Sequence, residues 1–379
     1  APVDITSTSM RLRWDQSTAP NFSRYVVYRS RAAGVDEADT QIATITDREV
    51  HEYTDLGLET RGRYYYRVFA YSTGDVGSGS GEVIGVTRGV GMPFAEDFET
   101  DKGLWTLQGS WGRQAGVGRD ESYALTDAPG VYPNSSNTSA RFGVDLSATS
   151  WPVLTFLEHH HFEPNRDWGY LELSSDFGGS WTRVLALGSE QAGWRERHVD
   201  LSPWRDEANV WIRFNVTTDG GTAENGWFID DLSLHENVAS VLALPFHDGF
   251  EDGIGNWLPG QWTVETLDPH RGSQRIENSP GTYNPPYGYY ALTLAGPLDL
   301  SGASSPSWTF YAKGEGGYKQ YLKAQISKDD GLTWIDLFNE SFDEDEWRRI
   351  SLDLTDHREE NVRFRILHYS NYGAAGSGF

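Results

Sequence analysis

Ser174-Ser175-Asp176-Phe177-Gly178-Gly179-Ser180-Trp181 and Ser327-Lys328-Asp329-Asp330-Gly331-Leu332-Thr333-Trp334 are two versions of one phrase. Each turns on Asp and Gly and returns with a Trp, and the first follows the run Tyr170-Leu171-Glu172-Leu173. A strand ending in an Asp- and Gly-rich turn reads as a β-hairpin, with the returning Trp expected to cover the core. Outward from the phrase, the two stretches keep matching in order. Asp97-Phe98-Glu99 answers to Gly249-Phe250-Glu251, Trp105 and Trp111 to Trp257 and Trp262, and Pro129-Gly130 to Pro280-Gly281. Asp145-Leu146-Ser147 answers to Asp299-Leu300-Ser301, and Asp200-Leu201-Ser202 to Asp353-Leu354-Thr355. The spacing is 251 − 99 = 152 at the start and 334 − 181 = 153 near the end. A period held this closely over so many positions marks a duplicated domain.

Residues 1–88 lie outside the repeat. Met10-Arg11-Leu12-Arg13-Trp14, Tyr25-Val26-Val27-Tyr28-Arg29, Gln41-Ile42-Ala43-Thr44-Ile45 and Tyr64-Tyr65-Tyr66-Arg67-Val68-Phe69-Ala70 read as short strands, and no segment has the period of a long helix. Alternation places Tyr64, Tyr66, Val68 and Ala70 on one face. Trp14, the Tyr25 strand, Leu58 and the Tyr64 strand together resemble a fibronectin type III domain, which implies that Trp14 fills the core and that Tyr64 makes a tyrosine corner. Gly74–Gly81 reads as a loop before a last strand at 82–87, and Arg88–Gly91 as a linker.

The duplicated stretch resembles the MAM-like jelly-roll family, on its Phe-Glu opening, its Asp-Gly-Trp hairpin and the closing Gly226-Trp227-Phe228-Ile229-Asp230-Asp231-Leu232-Ser233-Leu234. That family includes the cleaved-adhesin domains of gingipain-type proteins and the domains beside the catalytic unit in immune-inhibitor-A-type metallopeptidases. The chain is therefore expected to be all-β: a fibronectin type III-like sandwich (1–88) and two tandem jelly-roll β-sandwiches (92–238 and 244–379). The second copy reaches Gly376-Ser377-Gly378-Phe379 where the first continues into Phe228-Ile229-Asp230-Asp231, so it is expected to lack its final strand and to leave an edge open. Assembly through that C-terminal edge, or a longer parent chain, follows as an expectation.

Composition narrows the function. Fifteen Trp, 19 Tyr and 17 Phe fill sandwich cores in a chain that is only 38% hydrophobic. A formal charge of −24 argues against nucleic acid, whose phosphates are held by Lys and Arg. No run approaches the ~18–20 apolar residues of a membrane helix. Ala1-Pro2-Val3-Asp4 has no signal-peptide character, so the sequence is expected to start after any targeting segment. With no Cys there are no disulfides and no thiolate chemistry, and calcium becomes the expected staple of an extracellular protein.

The jelly-roll resemblance implies a calcium site in which the opening acids meet the closing Asp pair: Asp97, Glu99, Asp230 and Asp231 in the first copy, with Asp248 and Glu251 in the second. Strand alternation places Asp230 on the face of Phe228, Leu232 and Leu234, pointing inward, where a carboxylate needs a cation or donors. Ordinary capping and hydrogen bonding is the other reading of these acids. Asp167 matches an Asp frequent in the family, but the second copy has Gln320 at that offset. In a strand His159 and His161 face one way and His160 the other, so lining histidines are the expectation rather than a zinc site.

Gly77-Ser78-Gly79-Ser80-Gly81 has no helix after it and is not a serine-hydrolase turn. Asp343-Glu344-Asp345-Glu346 reads as a solvated loop rather than a glycosidase pair. Tyr283, Tyr287, Tyr289 and Tyr290 form an aromatic loop suited to stacking on a sugar or gripping a protein, or to closing the sandwich end. Asn-X-Ser/Thr matches fall at Asn21, Asn134, Asn137, Asn215 and Asn339. The expectation is a non-catalytic adhesion or ligand-binding region, calcium-stabilised, secreted or at the cell surface, recognising an extracellular protein or glycan. The alternative is an accessory targeting or processing module of a secreted peptidase or other hydrolase.

Overall fold

The computed structural model describes residues 2–278, 288–315, 320–341 and 343–370. Among these the fold is all-β, its only helices three short 3-10 turns. The chain divides into two compact units, residues 1–90 with 102–106 and 142–145, and residues 91–101, 107–141 and 146–379, the second holding most of both repeats.

In the first unit β1 (Ser9–Arg13) pairs with β4 (Glu52–Leu56). The facing sheet runs β3 (Thr40–Ile45), β2 (Phe22–Ser30) and β5 (Arg63–Ser72), with β6 (Gly77–Gly79) and β7 (Val83–Val86) both on β5. Met10, Leu12, Val27, Leu58, Tyr64 and Tyr66 form the core, with Trp14 and Val68 packed against it. The Tyr64 hydroxyl accepts the Glu59 N–H at 2.9 Å, the backward reach of a tyrosine corner. The opposite face of β5 is covered too: Phe69 and Tyr71 pack with Val26, Tyr28 and Val35.

The first repeat is a two-sheet sandwich. Its strands are β8 (Phe94–Glu96), β9 (Thr106–Gln108), β10 (Gly112–Ala115), β11 (Tyr123–Thr126), β12 (Asn137–Val144), β13 (Pro152–His161), β14 (Trp168–Ser174), β15 (Thr182–Leu187), β16 (Glu190–Asp200), β17 (Val210–Thr217) and β18 (Gly226–Glu236). One sheet runs β15-β14-β17-β12-β9 and the other β10-β11-β18-β13-β16, with β8 also on β18. Between them Phe156 meets Phe214 edge-on at 5.3 Å and Phe214 meets Trp227 at 5.2 Å.

The second repeat contributes β19 (Trp257–Leu258), β20 (Thr263–Glu265), β21 (Arg275–Glu277), β22 (Tyr289–Leu294), β23 (Ser307–Glu315), β24 (Gln320–Ser327), β25 (Ile335–Ser341), β26 (Asp343–Asp353) and β27 (Arg363–Ser370). Its sheet β19-β22-β27-β24-β25 copies β9-β12-β17-β14-β15 strand for strand. The facing strands form two separate pairs, β20-β21 and β23-β26.

The quoted hairpins close β14 and β24 alike. Asp176 accepts Ser180 N at 2.9 Å, Ser180 Oγ at 2.7 Å and Ser174 Oγ at 2.7 Å, bonds that draw its carboxyl down to about 2. Asp329 does the same with Thr333 and Ser327. The returning Trp behaves differently from expectation. Trp181 lies over the Arg213 guanidinium at 3.7 Å and Trp334 over Arg365 at 3.9 Å, so each covers a cation on the sheet rather than the core. The acid run at 343–346 also departs from its reading as a loop, since it opens β26, where Glu344 pairs with Arg348 at 3.3 Å.

A polar cluster sits inside the first repeat. Glu158 is fully buried, 2.7 Å from Arg197 and 2.8 Å from the His160 ring, and these partners hold its carboxyl near 2 against the opposing effect of burial. Strand register places Ala312 and Ile350 at the positions of Glu158 and Arg197 in the second repeat, so only one copy carries the ions. Replacing Arg197→Ile alone strands the Glu158 carboxylate and is expected to cost about 3–5 kcal/mol by chemical denaturation, whereas Glu158→Ala with Arg197→Ile recovers most of that loss. A second buried acid behaves oppositely. Asp127 accepts Trp227 N at 2.7 Å with Oδ1, its Oδ2 has no partner, and burial raises its carboxyl to about 7. The folded state therefore holds a proton that the unfolded chain has released above its ordinary 3.8, and this stabilisation fades as pH rises from about 4 to about 7. Asp127→Asn is expected to flatten that part of a stability-versus-pH curve; an unchanged slope would place the ionisation elsewhere.

Candidate functional site

The acids nominated by resemblance gather at one end of the first sandwich, but around a turn rather than around each other. Glu99 Oε1 accepts Tyr123 N at 2.9 Å, while Asp230 Oδ2 accepts Arg119 N at 2.8 Å and Ser122 Oγ at 3.3 Å. Asp97 Oδ1 accepts Glu99 N at 3.2 Å, and exposed Asp231 lies 3.9 Å from the Arg119 guanidinium. Arg113 donates to the carbonyls of Phe98 and Glu99, so a protein cation already holds the opening loop.

The direction of Asp230 is a correction. Register runs Leu157↔Asp230 and then Thr155↔Ser233, leaving a bulge at Asp231, whose φ is 46°. The extra residue reverses alternation, so Asp230 shares the outer face of Leu157 rather than the inner face of Leu232 and Leu234. It is buried because the 119–122 turn covers it, and that burial raises its carboxyl.

In the second repeat Asp248 takes Phe250 N at 2.8 Å, Asn256 Nδ2 at 3.0 Å and Trp257 Nε1 at 3.0 Å. Glu251 accepts the Ser273 hydroxyl, Ser273 N at 2.9 Å and Gln274 N at 3.0 Å, bonds that lower its carboxyl. Glu99 and Glu251 thus do one job in both copies, anchoring the strand that follows the turn.

Carboxylates converge elsewhere. Glu163, Asp167 and Asp219 bring one oxygen each within 4.8 Å of one another, the single such group among the described residues. Asp167 is fully buried, takes Tyr132 OH at 2.7 Å and Asp219 N at 2.7 Å, and its carboxyl is raised by burial, with Asp219 and Glu163 adding repulsion. Gly221 N donates to Asp219 at 2.6 Å and Thr222 N to Glu163 at 2.6 Å, so the 219–222 loop is folded over the group. The exposed Arg166 lies 4.0 Å from Asp219. Several carboxylate oxygens on loops at one sandwich end are the donor set a hard divalent cation takes. Sequence reasoning noted Asp167 alone: Glu163 shares its loop between β13 and β14, but Asp219, about fifty residues downstream, comes from the loop between β17 and β18.

The aromatic loop is also corrected in part. Tyr283 and Tyr287 lie outside the described residues. Tyr290 is fully buried against Tyr170 and Ala186 of the first repeat, and burial pushes its hydroxyl well up. Tyr289 accepts a hydrogen bond from Arg365 and lines a small cavity with Asp200, Pro203, Trp204 and Leu258. Both rings therefore join the two repeats. Ala186 N donates to Gln261 at 3.1 Å, Gly260 N to the His198 carbonyl at 2.9 Å, and Arg363 stacks on Trp151 at 3.5 Å at the same junction. Asn215 is buried on β17 and offers no glycan acceptor.

The outer faces of the other sheets carry aromatics that the linear reading passed over. His159 stacks on Phe228 at 4.4 Å with planes 6° apart, and half-buried Trp194 meets it edge-on at 4.6 Å. Burial holds the His159 ring below its ordinary value, keeping it neutral near pH 7. His160 turns inward to Glu158, as alternation requires. In the second repeat His270 stacks on exposed Tyr311 at 3.7 Å and meets half-buried Trp347 at 5.8 Å, with Lys313 Nζ 6.0 Å from the Trp347 ring. Trp347 − Trp194 is 153, the repeat spacing, so the two stations are equivalent.

No protein-family model matches the chain. It is 26% identical over 157 residues to Bacillopeptidase F of Bacillus subtilis (strain 168), a match of 38% of this chain and 11% of that relative, so the chain spans about a tenth of its length. Among solved structures it is similar to the K1 cleaved adhesin domain of Lys-gingipain from Porphyromonas gingivalis W83, at 15% identity and TM-score 0.29, covering 38% of this chain and 98% of that one. The tandem CBM22-1-CBM22-2 domain of Paenibacillus barcinonensis Xyn10C gives 14% identity and TM-score 0.29 over 76% of this chain and 92% of that one. A human fibronectin type III domain, from the KIAA0970 protein, gives 21% identity and TM-score 0.19 over 23% and 69%.

A thermal melt with calcium and with chelator separates the two acid groups. If Glu163, Asp167 and Asp219 hold the ion, calcium raises the midpoint by on the order of 5 °C, and Asp219→Asn abolishes the rise while Glu99→Gln keeps it. The reverse pattern would return the ion to the opening acids, and no rise in the wild type would remove calcium from both.

Proposed function

We propose that this chain is a non-catalytic, calcium-stabilised binding region of a secreted or cell-surface protein, and that it recognises glycan through its two sheet-face stations. The observation that carries this reading is the duplication of Trp194 as Trp347, each beside a histidine and a second aromatic on an outer face. A half-exposed indole presents a flat apolar surface that stacks on a sugar ring, while nearby Glu196, Lys313 and Arg349 supply hydrogen bonds to hydroxyls.

Calcium, held by Glu163, Asp167 and Asp219, cross-links the loops at one end of the first repeat and takes no part in a reaction. Together with Tyr289 and Tyr290 at the junction, which fix one repeat against the other, it presents the stations on a rigid support. A second reading, that these modules accompany a secreted peptidase and direct it to substrate, is favoured by the similarity to Bacillopeptidase F. The two readings share the stations and differ in what lies beyond residues 1–379.

Trp194→Ala and Trp347→Ala are each expected to weaken binding to soluble polysaccharides about tenfold in affinity electrophoresis, with the fold unchanged by circular dichroism. The double variant is expected to lose retention altogether. Retention unchanged in both single variants would overturn the glycan stations, and binding to a protein with no polysaccharide retained would assign the faces to protein recognition.

A further inference from the structure

The two stations keep their Trp and change its company. On β13 and β16 of the first repeat, register sets Leu157 across from Glu196 on the outer face, and Trp194 meets His159 beside them. On β23 and β26 of the second, register sets Tyr311 across from Arg349, and Lys313 lies beside Trp347. The spacings 311 − 157 = 154 and 349 − 196 = 153 make these positions equivalent. Around one fixed indole, Leu157 is thus exchanged for Tyr311, His159 for Lys313 and Glu196 for Arg349. The formal charge of these positions passes from −1 (Glu196) to +2 (Lys313 and Arg349), in a chain whose total is −24.

The neighbours sharpen the contrast. Acids border the first station: Glu190 stands across from His161, and Glu224 lies 3.5 Å from the His161 ring. In the second, Lys313 is taken by Asp268 at 2.5 Å and Glu344 by Arg348 at 3.3 Å. Arg349 is exposed and forms no ion pair among the described residues. Exposed Asp345 and Glu346 precede Trp347 on the strand, so selection falls to the guanidinium itself and not to a broad positive field. A guanidinium is a planar fork of donors that matches the paired oxygens of a carboxylate or sulfate. Beside it, His270 stacks on Tyr311 at 3.7 Å and meets Trp347 edge-on at 5.8 Å, an aromatic wall on which the ring of the same sugar can rest. At the equivalent place in the first repeat, the Glu196 carboxylate repels an anion.

We infer that the second station takes an acidic sugar, a uronate or a sulfated residue whose anion is held by Arg349, while the first station takes an uncharged one. This rests on the glycan reading of the stations and adds the class of sugar each one selects.

The test is retention of the intact 379-residue protein on immobilised neutral, uronate-bearing and sulfated polysaccharides, with circular dichroism to check each fold. Trp194→Ala leaves the second station and is expected to favour acidic over neutral members at least tenfold; Trp347→Ala leaves the first and is expected to reverse that preference. In the Trp194→Ala protein, Arg349→Glu is expected to lower retention on acidic members at least tenfold, while Arg349→Lys keeps part of it. Retention of the uronate members alone, or of the sulfated members alone, supports the inference and names the anion. Acidic retention unchanged by Arg349→Glu, or a preference of the Trp194→Ala protein for neutral members, would overturn the inference and leave the stations standing. No retention of the wild type on any member, or retention that neither Trp variant weakens, would overturn the stations and the inference with them.

Discussion

A sheet whose inner face is apolar has to be closed by hydrogen-bonded strands across its whole width, and much of this molecule's structure follows from how it meets that demand. In the first repeat β18 meets it. One strand bonds β8, β11 and β13 and carries Trp227, Ile229, Leu232 and Leu234 into the core. The bulge at Asp231 lets it do so while Asp230 stays on the outer side beneath the 119–122 turn. In the second repeat the described strands that face β19-β22-β27-β24-β25 are the pairs β20-β21 and β23-β26.

Duplication also shows which features belong to the scaffold. The Asp-centred hairpin, the Trp over an Arg and the opening Glu that anchors the start of the next strand occur in both copies in the same places. Such repetition is what framework interactions look like. The copies diverge inside the core, where the Glu158–Arg197–His160 cluster faces apolar residues in its counterpart, and at the acid group Glu163–Asp167–Asp219. Buried ions that one copy does without are not needed to close the sandwich, and their removal as a pair costs far less than the loss of one member.

The stations on the outer faces sit between these extremes. Their Trp is kept at the repeat spacing, while its neighbours change from His159 and Phe228 to His270, Tyr311 and Lys313. On the reading proposed above, a fixed aromatic with varied surroundings lets two copies of one fold read different ligands.

The sequence by itself determined the all-β class, the duplication, the strand alternation and the hairpins, because each is written in local periodicity or in a constant spacing of about 153 residues. Tyr64 and its corner were legible for the same reason. Only the tertiary structure decided which acids meet, since Asp219 reaches Glu163 and Asp167 from a different loop and that convergence leaves no trace in spacing. It alone reversed Asp230, because a single bulge residue flips every later side chain, and alternation counted along a string cannot see one. It alone sent Tyr290 into the junction with Tyr170 and set Trp194 on an outer face, because burial of an aromatic depends on what packs against it from distant parts of the chain.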